Sequence, residues 1–334
     1  MSRGYLLIDG PNIGNAVNAA APLKIGDQPT QAIYGFLRVL RPMISTYSML
    51  TPVVLWDGAS WRRMKFAEYK ANRDKKNTKA EIEAAKAKDE YKAQVPLIRE
   101  TLRHLGIKQM MALNYEADDL AGVLIEHSAK EARKAVMISA DKDWIQLLRP
   151  NAMWIDPVRD YRLSMKTLPE RFGWNPHKGR LVVGNGAQID GFIGIPSPRA
   201  YLEMKAIMGD AGDNIPGVGG VGPRGALDLI LQYGSVSGFF NQCADKTIDI
   251  DALPKKIRDF ATSDEKQEFY RRNMRLMDLR SKERPAWVNP KIDKGEFDPE
   301  KFRTLCDRLA FNSIASNLDA WLEPFNPREM ELAA

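Results

Sequence analysis

Histidine and cysteine are scarce in this chain. The three histidines, His104, His127 and His177, stand far apart with no metal-ligand spacing, and Cys243 and Cys306 are just as isolated. That excludes a zinc hydrolase and histidine-based acid–base chemistry. With so few cysteines a disulfide framework is excluded too, and a reducing, cytoplasmic compartment is expected. No serine nucleophile motif occurs. Long apolar runs are missing as well. Residues 5–8 ("YLLI") are interrupted by Asp9, too short for a signal-peptide core, and no stretch reaches the roughly 20 residues that cross a bilayer. No membrane partner is expected. Low-complexity tracts and internal repeats are lacking.

What is present is ordinary in bulk and uneven in detail. The 334 residues suffice for one large or two medium domains with a sizeable core. The net charge of +6 leans toward a polyanionic partner. Residues 61–79 ("WRRMKFAEYKANRDKKNTK") hold eight basic residues, Arg62, Arg63, Lys65, Lys70, Arg73, Lys75, Lys76 and Lys79, against Glu68 and Asp74. The excess of this one segment equals that of the whole chain, so the positive field is local. Read alone, such a run is equally a solvated charged helix. The interleaved rings of Trp61, Phe66 and Tyr69 tip the reading toward nucleic acid, where rings stack on bases.

Apolar strands and amphipathic helices alternate over the first 160 residues. Strands are expected at 5–9, 52–57, 107–113, 135–141 and 153–156, and helices at 30–47, 80–95, 96–104 and 117–130. Alternation of this kind implies a parallel α/β sheet. A glycine-rich link follows at 173–196. Beyond it helices are expected at 198–208, 223–233, 253–261 and 264–277, with no convincing strand. After Arg284 the prolines at 285, 290, 299, 324 and 327 read as an irregular extension carrying short helices near 302–309 and 314–322.

Acidic residues fall at the strand ends. Asp9, Asp57 and Asp141 each close a strand, Glu116, Asp118 and Asp119 stand where the third strand gives way to its helix, and Asp143 follows Asp141 by two. In a parallel sheet these ends share one edge, where such folds place their sites. Asp210 and Asp213 add two more carboxylates from the helical region. Crowded acids repel one another unless cations neutralise them. Oxygen-only ligands select Mg²⁺, with Mn²⁺ as a substitute, and two such ions about 4 Å apart are a recurring device for splitting phosphodiesters. Acids at helix starts also merely complement the helix dipole, which accounts for Asp118 or Asp119 singly. That bland reading fails for Asp9, before a Gly-Pro turn, and for Asp57, before Gly58.

Residues 208–224 ("MGDAGDNIPGVGGVGPR") contain a false lead. Gly217, Gly219 and Gly222 fit the G-x-G-x-x-G fingerprint of a dinucleotide site, but that site needs an apolar strand running into the first glycine. Here the preceding residues are a polar turn with Pro216. A glycine turn at a helix start still offers N–H groups to a phosphate, which need not belong to a small molecule.

Taken together, "LLIDGPN" (6–12), "WDG" (56–58), "YKANRD" (69–74), "EADD" (116–119), "SADKDW" (139–144) and "KAIMGDAGDNIPGVGGVG" (205–222) resemble, in order and over residues 5–280, the 5′-nucleases. These are flap endonucleases and 5′→3′ exonucleases, especially the small stand-alone bacteriophage members. The resemblance implies a PIN-like (Rossmann-like), mostly parallel α/β domain at 1–172 with flanking helices and a basic arch at 60–95. The link at 173–196, an all-helical helix–hairpin–helix region at 197–283 and an extension at 284–334 complete the chain. It implies a catalytic ion held by Asp9, Asp57, Glu116, Asp118 and Asp119, with Glu116 and Asp118 central, and a second ion at Asp141, Asp143, Asp210 and Asp213. Lys70 and Arg73 are implied to reach the scissile phosphate and Tyr69 to stack on the terminal base. DNA contacts are implied for Arg62, Arg63, Gly217, Gly219, Gly220, Gly222 and Arg224, with K⁺ at Val218 and Val221. The implied activity is Mg²⁺-dependent hydrolysis of DNA flaps or RNA primers by a monomer. The implied partners are branched or 5′-ended duplexes, RNA–DNA hybrids and replication proteins, in a host bacterium's cytoplasm if phage-encoded. A PIN-like ribonuclease and a catalytically inactive DNA-binding module are the alternatives. The glycine hairpin argues against the first and the full acid set against the second.

Overall fold

Strands form where aliphatic residues run unbroken between polar turns: β1 (Tyr5–Asp9), β2 (Thr51–Trp56), β3 (Lys108–Met111), β4 (Ala135–Ile138) and β5 (Ala152–Asp156). In the computed structural model, which describes residues 3–19, 22–74, 78–285 and 290–326, they pair in parallel in the order β3-β2-β1-β4-β5. The register sets Asp9 beside Leu55 and Ile8 beside Ile138. Two short antiparallel strands close the edges, β6 (Tyr161–Leu163) on β5 and β7 (Lys291–Asp293) on β3. Strand order reverses between β1 and β4, so a crevice opens at their carboxyl ends.

Period-two alternation splits the core between the sheet's faces. Leu7, Val53, Leu55 and Met137 pack under α4 (Ala117–Lys130) and, further out, under the helices after residue 196. Leu6, Ile8, Val54 and Ile138 face α1 (Gly10–Asn18), α2 (Gln31–Thr46) and α3 (Lys79–His104). The α2 stripe of Ile33, Phe36, Leu37, Leu40 and Ile44 is buried as its spacing predicts. Later come α5 (Pro198–Met208), α6 (Pro223–Tyr233) and α7 (Asp264–Met277). No helix among the described residues is long and apolar enough to cross a membrane.

Four expectations need correcting. Pro96 does not open a new helix; α3 runs straight through it. Pro96 and Lys92, whose carbonyl loses its partner, both face water, which satisfies that oxygen. The glycine-rich link folds into a three-stranded sheet of Phe172–Asn175, Arg180–Val183 and Ile193–Gly194. The strandless region carries a two-residue ribbon, Gly209–Asp210 on Ile215–Pro216, and an unforeseen helix, Val236–Ala244, capped by Ser235. The extension is not irregular. It adds β7 to the sheet and then three helices, Pro299–Arg308, Asn312–Ala315 and Leu318–Leu322, burying Phe302, Leu305, Phe311, Ile314, Leu318 and Phe325 against the α2 side.

Candidate active site at the carboxyl ends of the strands

Four of the strand-end acids are positioned by local turns that face them toward the crevice. Asp9 closes β1 and caps α1, its Oδ1 accepting the N–H of Asn12 at 3.1 Å while Oδ2 accepts the Ser139 hydroxyl at 2.6 Å. Contrary to the sequence expectation, Asp9 does stand at a helix start: the Gly10-Pro11 pair is the first turn of α1 itself, where proline's missing N–H costs nothing. Asp57 likewise caps, across elements: its Oδ1 accepts the Ala117 N–H at 2.8 Å at the start of α4. Asp141 caps the 3₁₀ turn Lys142–Leu147 through the Asp143 N–H at 2.8 Å. Asp118, in the first turn of α4, accepts the Trp144 indole N–H at 2.7 Å.

These four and Glu116 line one cavity of about 480 Å³, together with Pro11, Asn12, Asn15, Ala16 and Lys70. Burial and mutual repulsion raise three of these acids. Burial, opposed by the Ser139 bond and reinforced by Asp141 and Asp57, pushes Asp9 up to about 7. Burial and Asp143 push Asp141 up to about 6. Burial, Asp141, Asp9 and Glu116 hold Asp118 well above the usual carboxylate range. Glu116 goes the other way: burial would raise it, but Lys70 and Arg62 outweigh that and keep it ionised.

The remaining four acids are not on that wall. Asp143 and Asp210 meet at the half-buried ammonium of Lys205, which donates to both, at 2.8 Å to Asp210. Burial alone would raise Asp210, yet Lys205 and the N–H groups of Asp213 and Gly212 hold it low. Asp213 lies 4.0 Å from the Lys70 ammonium. Asp119 is turned away altogether, fully buried, accepting both Arg62 Nη atoms at 2.9 Å, the Trp61 indole at 3.2 Å and the Glu116 N–H at 3.0 Å. Its place is that of a structural carboxylate at a helix start. Among the described residues no three acidic, histidine or cysteine side chains already stand grouped to hold an ion. Two lysines occupy the positive role instead.

The basic segment divides sharply. Lys70 reaches the acids: its ammonium donates to Glu116, and it holds a left-handed backbone (φ +58°) fixed by its N–H to the Asp213 carbonyl at 2.9 Å. Such strain in a non-glycine residue collects at functional sites. Arg62 is not a free DNA contact. It is 2% exposed and spans Glu116, Asp119 and the Leu276 carbonyl. Tyr69 is not an open stacking platform either. It is 3% exposed, packed on Leu202, Ile215 and Leu276, with its hydroxyl donating to Glu116 at 3.0 Å. Arg63 is exposed. The Arg73 side chain lies outside the described residues, although its backbone forms the 3₁₀ turn Ala71–Asp74.

At the glycine turn, Gly219 (φ +97°) and Gly220 (φ +77°) adopt backbones that side chains resist, and Gly222 caps α6. All three are exposed, and among the described residues their N–H groups donate to no backbone carbonyl. Val218 and Val221 turn their side chains into the core. Arg224 is exposed and pairs with Asp228 at 2.7 Å. Six further groups, two of them outside the motifs, complete the two sites. Ser139, Asn12 and Trp144 orient the acids, Lys205 bridges two of them, and Lys256 and Lys266 flank the glycine turn. A lysine five residues before Asp210, one helical turn and a bend away, was the available signal for Lys205.

Comparison with known proteins shows the family and the fold. Residues 4–173 match the family described as 5′-3′ exonuclease, N-terminal resolvase-like domain, and residues 196–282 match 5′-3′ exonuclease, C-terminal SAM fold. A 5′-3′ exonuclease of Aquifex aeolicus is 35% identical over 239 residues, 71% of either chain. DNA polymerase I of Bacillus caldotenax is 28% identical over 341 residues, and this chain spans only 34% of that polymerase's length. Among solved structures the fold is shared with T5 5′-exonuclease bound to divalent metal ions, with TM-score 0.62, 21% identity and coverage of 99% and 100%. It is shared also with a bacteriophage T5 flap endonuclease complexed with DNA and metal ions (TM-score 0.61, 21% identity, 99% of each chain).

Proposed function

Because the chain belongs to the 5′-3′ exonuclease family, we propose that it is a Mg²⁺-dependent, structure-specific 5′-nuclease acting on flapped or RNA-primed duplex DNA. The observation that supports this most is the meeting of Asp9, Asp57, Glu116, Asp118 and Asp141, drawn from four strand ends, in one cavity beside Lys70. The donor set is oxygen only, and its raised carboxyls have burial without enough positive charge, so it fits a hard divalent cation. Those five residues would hold the ion, and Asp143, Asp210 and Asp213 a second one once Lys205 gives way. Bound there, Mg²⁺ supplies Lewis acidity toward a phosphate oxygen and acidifies water.

The chain's own groups do the rest. Lys70, whose ammonium donates to Glu116, would present that charge to the phosphate, where negative charge builds in the transition state. Arg73 joins it from the neighbouring turn. The exposed amides of Gly219, Gly220 and Gly222 at the positive end of α6 grip duplex phosphates, with K⁺ at Val218 and Val221, giving affinity and register without sequence preference. Tyr69 stacks on a terminal base only after leaving its pocket. The protein acts as a monomer in the cytoplasm, with Mn²⁺ able to replace Mg²⁺. RNA–DNA hybrids are substrates as well, and replication proteins are its partners.

Incubating a 5′-flap duplex with and without Mg²⁺ tests the reading. Cleavage is expected only with metal. Asp118→Ala should lower the rate by about 10²-fold or more, as loss of a main transition-state stabiliser does, while flap affinity stays within a few-fold. Full cleavage by that variant would remove Asp118, and with it the cavity, from the chemistry.

A further inference from the structure

A second cavity, of about 750 Å³, adjoins the acid site and shares Asn12 and Asp141 with it. Its far wall is built by the hairpin inside the link and by the β5–β6 turn, neither of which the proposed chemistry uses. Five cations line it, Lys142, Arg159, Lys178, Arg180 and Lys205, against three carboxylates, Asp141, Asp143 and Asp156. Two of those cations are already answered. Arg159 pairs with Asp156 at 2.8 Å, and Lys205 bonds Asp143 and Asp210. Lys142, Lys178 and Arg180 form no salt bridge among the described residues.

The hairpin is a rigid mount. Asn175 Oδ1 accepts the N–H groups of His177 at 2.9 Å and Lys178 at 3.1 Å, and Gly179 (φ +57°) completes the turn. Lys178 and Arg180 project from it into water. Beneath it Trp154 and Tyr201 are buried in the core and Tyr161 is half-buried, so the groove's exposed surface is mainly polar and charged.

We infer that this groove binds the phosphate backbone of the nucleic-acid strand that flanks the scissile phosphate, with Lys142, Lys178 and Arg180 as its phosphate contacts. The inference rests on the nuclease reading for the strand's origin. Continuity with the acid cavity favours a polymer over a free anion, because a chain held at the acids must leave past Asp141, into the positive groove. Lysine and arginine contacts to phosphate suit a backbone read without sequence preference.

The test is Lys178→Ala combined with Arg180→Ala, two residues outside the proposed catalytic machinery. Binding of a fluorescent 5′-flap duplex is measured without divalent metal across a salt series, and cleavage at saturating substrate with Mg²⁺. The Kd should rise roughly tenfold, and the slope of log Kd against log salt should fall by about 1.4–1.8, the loss of two phosphate contacts. Cleavage at saturation and the melting temperature should match the parent protein. An unchanged Kd and slope, in a parent that cleaves the flap, overturns the groove and leaves the nuclease reading intact. A parent that fails to cleave, but whose affinity still falls with the double substitution, sinks the nuclease reading and supports the groove.

Discussion

Arg62 and Arg63 are adjacent, equally basic and opposite in fate. Arg62 is closed in by Glu116 and Asp119, and Arg63 faces water. Replacing Arg62 by Met strands two buried carboxylates, so it should cost about 3–5 kcal/mol in urea denaturation. The salt slope of DNA binding should not move, and a variant of unchanged stability with a shallower slope would restore Arg62 to the DNA surface. The raised acids make a second prediction. Burial and neighbouring carboxylates push Asp9 up to about 7 and Asp141 up to about 6, against about 4 for an unfolded aspartate. Between those values the folded state binds more protons than the unfolded, so metal-free stability should fall as pH rises from about 4 to 7. Calorimetry should show a lower melting temperature at pH 8 than at pH 5, recovered by millimolar Mg²⁺ and lessened in Asp118→Asn. A flat metal-free profile would contradict the crowding of these acids. Nothing in the sequence separates Arg62 from its neighbour. Its fate is set by Glu116 and Asp119, more than fifty residues away, and only the fold brings them near.

Among elements, the glycine turn shows which glycines act through space and which through backbone. A Cβ on Gly217 would sit 2.3 Å from the Met208 carbonyl oxygen, so that position is filled by packing. Gly219 and Gly220 have room but hold positive φ, and the nearest atoms to a Cβ on Gly220 belong to the flexible end of Lys256, at 3.1 Å. Gly220→Ala should therefore cost only about 1 kcal/mol of stability. Duplex affinity should fall several-fold and equally for unrelated sequences, with the saturated cleavage rate kept. A sequence-dependent loss in a binding panel would assign the turn a reading role that it lacks here. Secondary structure was legible wherever period and punctuation agreed, as in α2 and β1. It departs from expectation at two prolines, Pro96, expected to open a new helix, and Pro299, expected in an irregular extension. Pro96 sits on the wet side of α3, and Pro299 opens a helix behind the Asp298 cap. Exposure and capping, rather than the residue type, decide what a proline does.

For the molecule as a whole, the surprise is the extension. Residues 290–326 add an edge strand and a stacked aromatic row, Phe302–Trp321–Phe325, with ring centroids 5.1 Å apart at each step. They close the α2 face of the core, and no motif foretold it because packing against a distant helix leaves only scattered apolar residues in sequence. Phe302→Ala should cost about 3–5 kcal/mol and shift one cooperative unfolding transition, with the acid site lost in the same step. A separate early transition would make the extension an independent appendage. By contrast the acids were legible, since parallel strands must bring their carboxyl ends to one edge. Which of them share a cavity was not, because Lys205 and Arg62 draw three of the nine away into ion pairs.

Anomalous diffraction from crystals soaked in Mn²⁺ tests the central claim most directly. Peaks are predicted inside the cavity lined by Asp9, Asp57, Glu116, Asp118 and Asp141, and that peak should vanish in Asp118→Ala. Mn²⁺ bound only elsewhere on the surface, with that cavity empty at saturating metal, would contradict it.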